Sequence, residues 1–367
     1  MARAAERNAV NNILKSTEAY EAWLAERLTL IPSDLDLKHE EMAQGVFPFL
    51  RATFYRWTET FPQVCKKLQR APAVTGVGDL HVENFGTWRD IEGRLVWGIN
   101  DFDEVATMPY TCDLVRLATS AHLAIAADHL KIASAQASQA ILDGYRDGLK
   151  SGGMALVLGE HHSALREMAV ARLKEPEKYW AKLNGLPTLH EKVPDSARKA
   201  LERMLPERRI KYRTAHRVAG LGSLGRRRYI ALAEWRGSSL AREAKELTGS
   251  AWLWQAEKAD PNIRYQLALN CAIRCPDPFV RLRGRWIVRR LAPDCSRIEL
   301  SSLPAQHDAV RLLKAMGWET ANIHLGSRDS AGLLRHLTAR PKNWLHSAAL
   351  AMVDSVRSDW EDWKKLR

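Results

Sequence analysis

Gly78-Asp79-Leu80-His81-Val82-Glu83-Asn84-Phe85-Gly86, and further on Asn100-Asp101-Phe102-Asp103-Glu104, hold the chemistry of this chain. Ala73–Val77, short and largely apolar or β-branched, reads as a strand ending at Gly78. Arg94–Ile99 reads as a second strand ending at Asn100. The spacing predicts two neighbouring strands that deliver both polar clusters to one edge of a small sheet. Magnesium takes hard oxygen ligands, often one or two carboxylates completed by phosphate oxygens and water. Asn84 and Asp101, with Asp103 beside them, supply such oxygens. Asp79 is then free to accept or orient a hydroxyl proton during phosphoryl transfer.

Short polar residues at strand ends also cap turns and helices. For any one of Asp79, Asn84, Asp101 and Asp103, that plainer role is the better reading. Capping does not need so many acids and amides together, so the set points to a site. His81 either contacts a phosphate or buttresses the loop.

Gly220-Leu221-Gly222-Ser223-Leu224-Gly225 is a G-x-G-x-x-G. Alone it is weak, and a dinucleotide-binding reading needs a helix after it. Arg226–Leu232 follows and reads as a strand. Strand, glycine turn, strand is the arrangement in which kinase backbone N–H groups cover phosphates. Lys245, on the next strand candidate, is placed to reach those phosphates, with Lys258 as the fallback.

The first sequence quoted resembles the catalytic and metal-binding loops of aminoglycoside phosphotransferases and other protein-kinase-like enzymes, HGDLHxxN followed by a strand and DFD. The resemblance implies that Asp79 is the catalytic aspartate and that Asn84 and Asp101 are magnesium ligands. Val77 stands where those enzymes usually carry the first histidine. Tyr110–Leu117 resembles their DLA-type helix start, which gives Asp113 the task of supporting the loop from behind. In kinases the glycine turn and lysine precede the catalytic loop, whereas here they follow it. The order therefore implies a circularly permuted kinase plan, which the closeness of domain termini permits. FPFLR at Phe47–Arg51, GDLHVENFG, NDFDE, DLVRLATS, VAGLGSLGRRRY and VRRL together resemble an uncharacterised bacterial family, domain of unknown function 2252. Lys245-Glu246 matches a pair usual there. Arg51 reads mainly as a surface or salt-bridge residue.

The rest of the chain sets the frame. Helical spacing predicts helices over Ala4–Leu28, over His39–Thr60 with a break at Pro48, and over Tyr110–Asp128, Ile132–Leu149, His161–Arg172 and Ser196–Leu205. Strands are expected at Arg217–Gly220, Arg226–Glu234, Ser238–Lys245, Phe279–Leu282 and Trp286–Leu291. Helices follow Pro304, broken near Gly317, Gly326 and Pro341. The expected class is α+β: a two-lobed, permuted kinase-like fold. Residues 1–205 form a helical lobe with the loops, 206–292 a sheet-rich lobe, and 293–367 helices completing the first lobe.

Composition bounds the partners. The 367 residues are 46% hydrophobic and 27% charged, as in an ordinary globular protein. No signal-like or membrane-spanning run is visible, and five scattered cysteines suit a reduced cytoplasmic setting. The formal charge of +12 gathers at Arg203–Arg228 and Arg281–Arg297. It fits a solvated basic face or attraction to phosphate. The expected function is an ATP- and Mg2+-dependent phosphotransferase acting on a small-molecule hydroxyl. Nucleotidyl transfer and a nucleotide-binding pseudoenzyme are the alternatives. A nucleic-acid binder lacks a motif. A metal hydrolase built on Asp79, His81, Asp101 and His161-His162 lacks clear partners for its histidines.

Overall fold

Among the described residues, the first helix is opened by Asn12, whose side chain accepts a hydrogen bond from the Lys15 N–H at 3.0 Å, a role suited to a short amide side chain. Helix α1 runs Ile13–Ala25, followed by α2 (Pro32–Ala43), α3 (Val46–Ala52) and α4 (Phe54–Val64). The single helix expected over His39–Thr60 is thus divided. It breaks at Gly45 and Thr53, not at Pro48. Pro48 lies in the first turn of α3, where a missing N–H is harmless because first-turn amides have no intrahelical acceptor. The computed structural model describes residues 12–159, 162–170, 176–256, 262–295 and 306–366. Expectations resting on 4–11, His161, Ala171, Arg172, Lys258, Arg297 and Pro304 lie outside these residues.

Strands β1 (Ala73–Gly76), β2 (Phe85–Arg89), β3 (Leu95–Ile99) and β4 (Ala106–Pro109) come next. β1 pairs antiparallel with β4, Ala73 opposite Pro109. β3 lies between β2 and a short β5 (Leu156–Val157). β1 and β3 are therefore not neighbours, as the sequence had suggested, but belong to different sheets. The polar clusters still converge, because the loop after β1 runs straight into β2. At the open end of the β2–β3 pair the Asn100 N–H donates to the Asn84 carbonyl at 3.0 Å.

Helix α5 (Tyr110–Ala126) is buried on all sides from Tyr110 to Ala124, so its charged residues must find partners inside the protein. It packs with α6 (Ser134–Ser151), and α7 (Ser163–Val170), α8 (Pro176–Asn184) and α9 (Asp195–Glu202) follow. Then comes an antiparallel five-stranded sheet: β6 (Arg213–His216), β7 (Arg228–Trp235), β8 (Ser238–Glu246), β9 (Arg281–Arg283) and β10 (Trp286–Leu291), in the order β6-β7-β8-β10-β9. The strand expected at Arg217–Gly220 lies earlier, and those residues form the approach to the glycine turn. Alternation fills both faces. Tyr229, Ala231, Ala244 and Trp286 pack on α9, while Ile230, Leu232, Ala241 and Leu291 pack on Tyr179, Trp180 and Leu183 of α8.

Short helices α10 (Ala251–Gln255) and α11 (Tyr265–Cys271) lie between β8 and β9 in sequence, and α12 (Gln306–Leu325), α13 (Ser330–Thr338) and α14 (Trp344–Lys365) close the chain. Gly317, expected to break a helix, lies inside α12. A Cβ there would sit 2.1 Å from the Ile141 carbonyl oxygen, so the glycine permits close contact with α6 and does not end the helix. The architecture is mixed α+β. Among the described residues no helix is long and apolar enough to cross a membrane.

Candidate active site

The loop after β1 is fixed from beneath. Gly78 adopts a φ of 85°, and a Cβ on it would fall 2.4 Å from the Glu104 carbonyl oxygen, so only glycine fits. Asp113, buried at the start of α5, accepts the Val77 N–H at 2.7 Å and the Gly78 N–H at 2.9 Å. His324 on α12 holds Asp113 at 3.0 Å through Nε2, and its Nδ1 lies 2.9 Å from the Tyr145 hydroxyl. Within the loop, Asn84 Nδ2 donates to the Asp79 carbonyl at 2.5 Å, and the Glu83 N–H donates to His81 Nδ1 at 3.2 Å. His81 thus braces the loop as well as lining the chamber described below.

Asp79 has a partner that the sequence did not announce. Arg116, fully buried on α5, donates to Asp79 Oδ1 through Nε at 3.0 Å and also through Nη2, and Nη2 donates to the Leu50 carbonyl at 2.8 Å. Its guanidinium lies over the Phe54 and Trp57 rings, about 5 Å from each centroid. Burial pushes the Asp79 carboxyl above its usual range, and Arg116 opposes that shift. With Oδ1 engaged, Oδ2 is the oxygen that faces the glycine turn.

Asp101 and Asp103 flank Phe102 at the end of β3. Lys245, buried on β8, reaches both: 2.6 Å to Asp103 Oδ2 and 3.2 Å to Asp101 Oδ1. Burial pushes Asp103 above the usual carboxylate range, helped by the neighbouring Asp101 carboxylate and opposed by Lys245 and Arg226. Asp101 goes the other way. Burial alone would raise it, but Lys245 holds it well below the usual carboxylate range. Asp103 Oδ1 is buried without a hydrogen-bond partner. Two adjoining carboxylates, one with an orphaned oxygen, are a donor set that a hard divalent cation suits. Among the described residues no three His, Cys, Asp or Glu side chains cluster as a self-sufficient metal site. Magnesium there would draw further oxygens from Asn84, phosphate and water.

The glycine turn closes over this group. Gly220 and Gly225 have φ of 76° and 90°. A Cβ on Gly222 would lie 2.9 Å from the Arg51 carbonyl oxygen and 3.2 Å from Asp79 Oδ2. Ser223 faces inward, donating to the Gly220 carbonyl and accepting from Arg228. Gly225 is tied to the N-terminal helices, its carbonyl accepting the Ile31 N–H at 2.8 Å. Asp79, His81, Asn84, Asp101, Asp103 and the residues Gly220–Ser223 thus line one narrow chamber of ≈ 40 Å³, room for water but not for a triphosphate. It adjoins a larger cavity of ≈ 470 Å³ that shares Asp101 and Gly220.

The family model for an uncharacterised protein conserved in bacteria, DUF2252, matches residues 30–174 and 188–366. The chain belongs to the DUF2252 family. No curated protein and no solved structure matches it.

In this DUF2252 chain the predicted residues Asp79, His81, Asn84, Asp101, Asp103, Gly220, Gly222 and Ser223 meet at the chamber. Lys245 joins them through its two aspartates, Asp113 acts from behind, and Gly225 anchors the turn. Asp101 and Asp103 cap no helix, since β4 follows them. Arg51 pairs with Glu83 at 2.8 Å and lines the chamber. Three groups escaped sequence reasoning: Arg116, Arg226 and the Glu243 cluster. Arg226, 4% exposed, bridges toward Glu104 at 3.2 Å and Asp103 at 4.0 Å. Glu243, fully buried, takes Arg217, Arg228 and Arg289 at 2.6, 3.0 and 2.8 Å. Much of the basic crowding is therefore an internal ion-pair network, not a solvated face. The signal for Arg116 was present in the sequence: a charge in the middle of an apolar helix needs a partner.

Proposed function

We propose that this protein is a magnesium-dependent phosphotransferase that uses a nucleoside triphosphate, with the two lobes of a circularly permuted kinase plan. Residues 1–205 and 293–367 would make the helical lobe and 206–292 the sheet lobe, except that α8 and α9 lie against the sheet. The supporting observation is the meeting of distant segments: the Asp79–Asn84 loop, the Asp101–Asp103 pair and the glycine turn line one chamber, and Lys245 pairs with both of those aspartates. The turn joins the first two strands of the five-stranded sheet and the lysine lies on the third, as in protein kinases.

Asn84, Asp101 and Asp103 would hold the cation, which neutralises phosphate charge when bound. Lys245 then shares its ammonium between the aspartates and the phosphates. Asp79 Oδ2 takes the proton of an acceptor hydroxyl, with Arg116 fixing the carboxylate through Oδ1. The triphosphate enters from the adjoining cavity, and the turn lifts from Asp79 to admit it. The Arg116 clamp favours a second reading, a protein that binds nucleotide without turning it over.

One comparison separates the readings. With Mg2+ and ATP, Asp101→Asn should weaken binding by about tenfold or more, the loss of one charge-assisted contact. Asp79→Asn should keep binding and lose about 10²-fold or more of turnover, the scale of general-base catalysis. Binding without turnover in the wild type selects the regulator. No metal-dependent nucleotide binding at all refutes both.

A further inference from the structure

The larger cavity contains more positive charge than its walls neutralise. Arg217, Arg228 and Arg289 line it, but all three are bound to Glu243. Arg290 leaves Nε and Nη2 without hydrogen bonds but has a carboxylate, Asp294, at 3.6 Å. Arg274 is different. Among the described residues no acceptor receives a hydrogen bond from it, and its Nε and Nη1 are buried and orphaned.

The nearby acids are already committed. Asp277 Oδ1 accepts the Phe279 N–H at 2.8 Å. Glu319 accepts from the Ile99 N–H at 3.3 Å and from Asn322 Nδ2 at 2.8 Å. Burial pulls the Arg274 guanidinium below its usual range; Glu319 and Asp277 oppose that shift, yet neither accepts a hydrogen bond from it. Two buried guanidinium N–H groups without an acceptor are costly, so their presence calls for an acceptor in the cavity.

The position is also prepared. Arg274 lies with its guanidinium carbon 4.4 Å from the centroid of the Trp88 ring and 5.2 Å from that of Phe102. Trp88 Nε1 donates to the Cys275 carbonyl at 3.0 Å, and the Ile273 N–H donates to the Asn322 carbonyl at 3.1 Å. Both neighbours of Arg274 in the chain are thus fixed. The guanidinium is stacked and held in place, so little freedom remains to be lost when an anion arrives.

We propose that Arg274 is the anchor for a carboxylate or phosphate group on a small molecule that occupies the cavity between the five-stranded sheet and the Trp88–Phe102 wall. The site needs neither metal nor triphosphate, so it stands apart from the phosphotransfer reading. If that reading also holds, the cavity's ligand carries an anionic group at Arg274 besides any phosphate at Asp101.

The test uses the full chain in metal-free buffer, with inorganic phosphate and malonate as separate probes in calorimetry and thermal melting. Arg274→Met removes the charge and keeps the stacking bulk. Its affinity for the preferred anion should fall about tenfold or more, as expected for a lost charge-assisted pair. Arg274→Lys should lie between. Each anion that binds should raise the melting temperature of the wild type, and that rise should disappear in Arg274→Met. Stronger binding of phosphate or of malonate tells which anion the natural ligand carries. The proposal is overturned if neither probe binds the wild type or if Arg274→Met binds as well as wild type. Each outcome is independent of whether nucleotide is turned over.

Discussion

Replacing Arg116 by methionine leaves the Asp79 carboxylate without its counterion while roughly keeping the bulk over Phe54 and Trp57. Arg116 is fully buried, Asp79 is 20% exposed, and two N–H groups of the arginine converge on one oxygen. Removing one member of such a buried pair costs about 3–5 kcal/mol, because the surviving charge stays desolvated. For a chain of this length the unfolding entropy is about 0.8 kcal/mol/K, so the melting temperature should fall by about 4–6 °C. Asp79 answers by holding its proton more strongly, since burial already pushes its pKa upward and the opposing guanidinium is gone. Asp79→Asn in the Arg116→Met background removes the stranded charge and should restore about 1–3 kcal/mol, a coupling that a double-mutant cycle by urea unfolding reads directly. If Arg116→Met unfolds like wild type, or the double variant is no more stable than the single, the arginine is not the counterion of this carboxylate.

Gly222→Ala brings a methyl to 2.9 Å from the Arg51 carbonyl oxygen without any left-handed backbone strain. The expected cost is about 1–3 kcal/mol of overpacking, with faster hydrogen exchange at Ser223 and Leu224. Unchanged exchange would show that the turn does not rest on the loop. His122 gives a pH signature. Burial, then His346, push it from 6.5 down to about 4, so the unfolded chain binds its proton first. Its contribution is therefore complete above pH 6.5 and is lost as pH falls toward 4, up to about 3 kcal/mol. His122→Gln should flatten that part of the stability–pH curve, and parallel curves for variant and wild type would exclude it.

The elements that could be recognised in the sequence were those with long periodic runs or sharp polarity steps. α5 and α6 begin and end within a few residues of expectation, and β7 and β8 lie where the glycine-rich and Arg-Gly turns bound them. The loop residues announced themselves because acids and amides stand at strand ends. Pairing was harder. β1 and β4 have four residues each, too few for alternation to show which edge they seek. The charge network was misjudged for a related reason. A run of arginines looks solvated until its acceptors are known, and Glu243 meets Arg217 and Arg289 only after the sheet has assembled. One cue was present: Glu243 and Lys245 stand two apart on a buried strand, so both had to face partners on one side.

The brace beneath the Asp79–Asn84 loop has a consequence for the order of events on the ribosome. Val77 and Gly78 are held by Asp113, but Asp113 is held by His324, and Arg56 grips Asp359 through two bonds across 303 positions. These far-separated contacts close late, because chain entropy must be overcome before they form. A nascent polypeptide emerging without α12 and α14 carries every acidic residue of the site yet lacks the scaffold that sets them. The proposed activity should therefore appear only when synthesis is nearly finished, and premature termination should release products that lack the assembled site and are unstable.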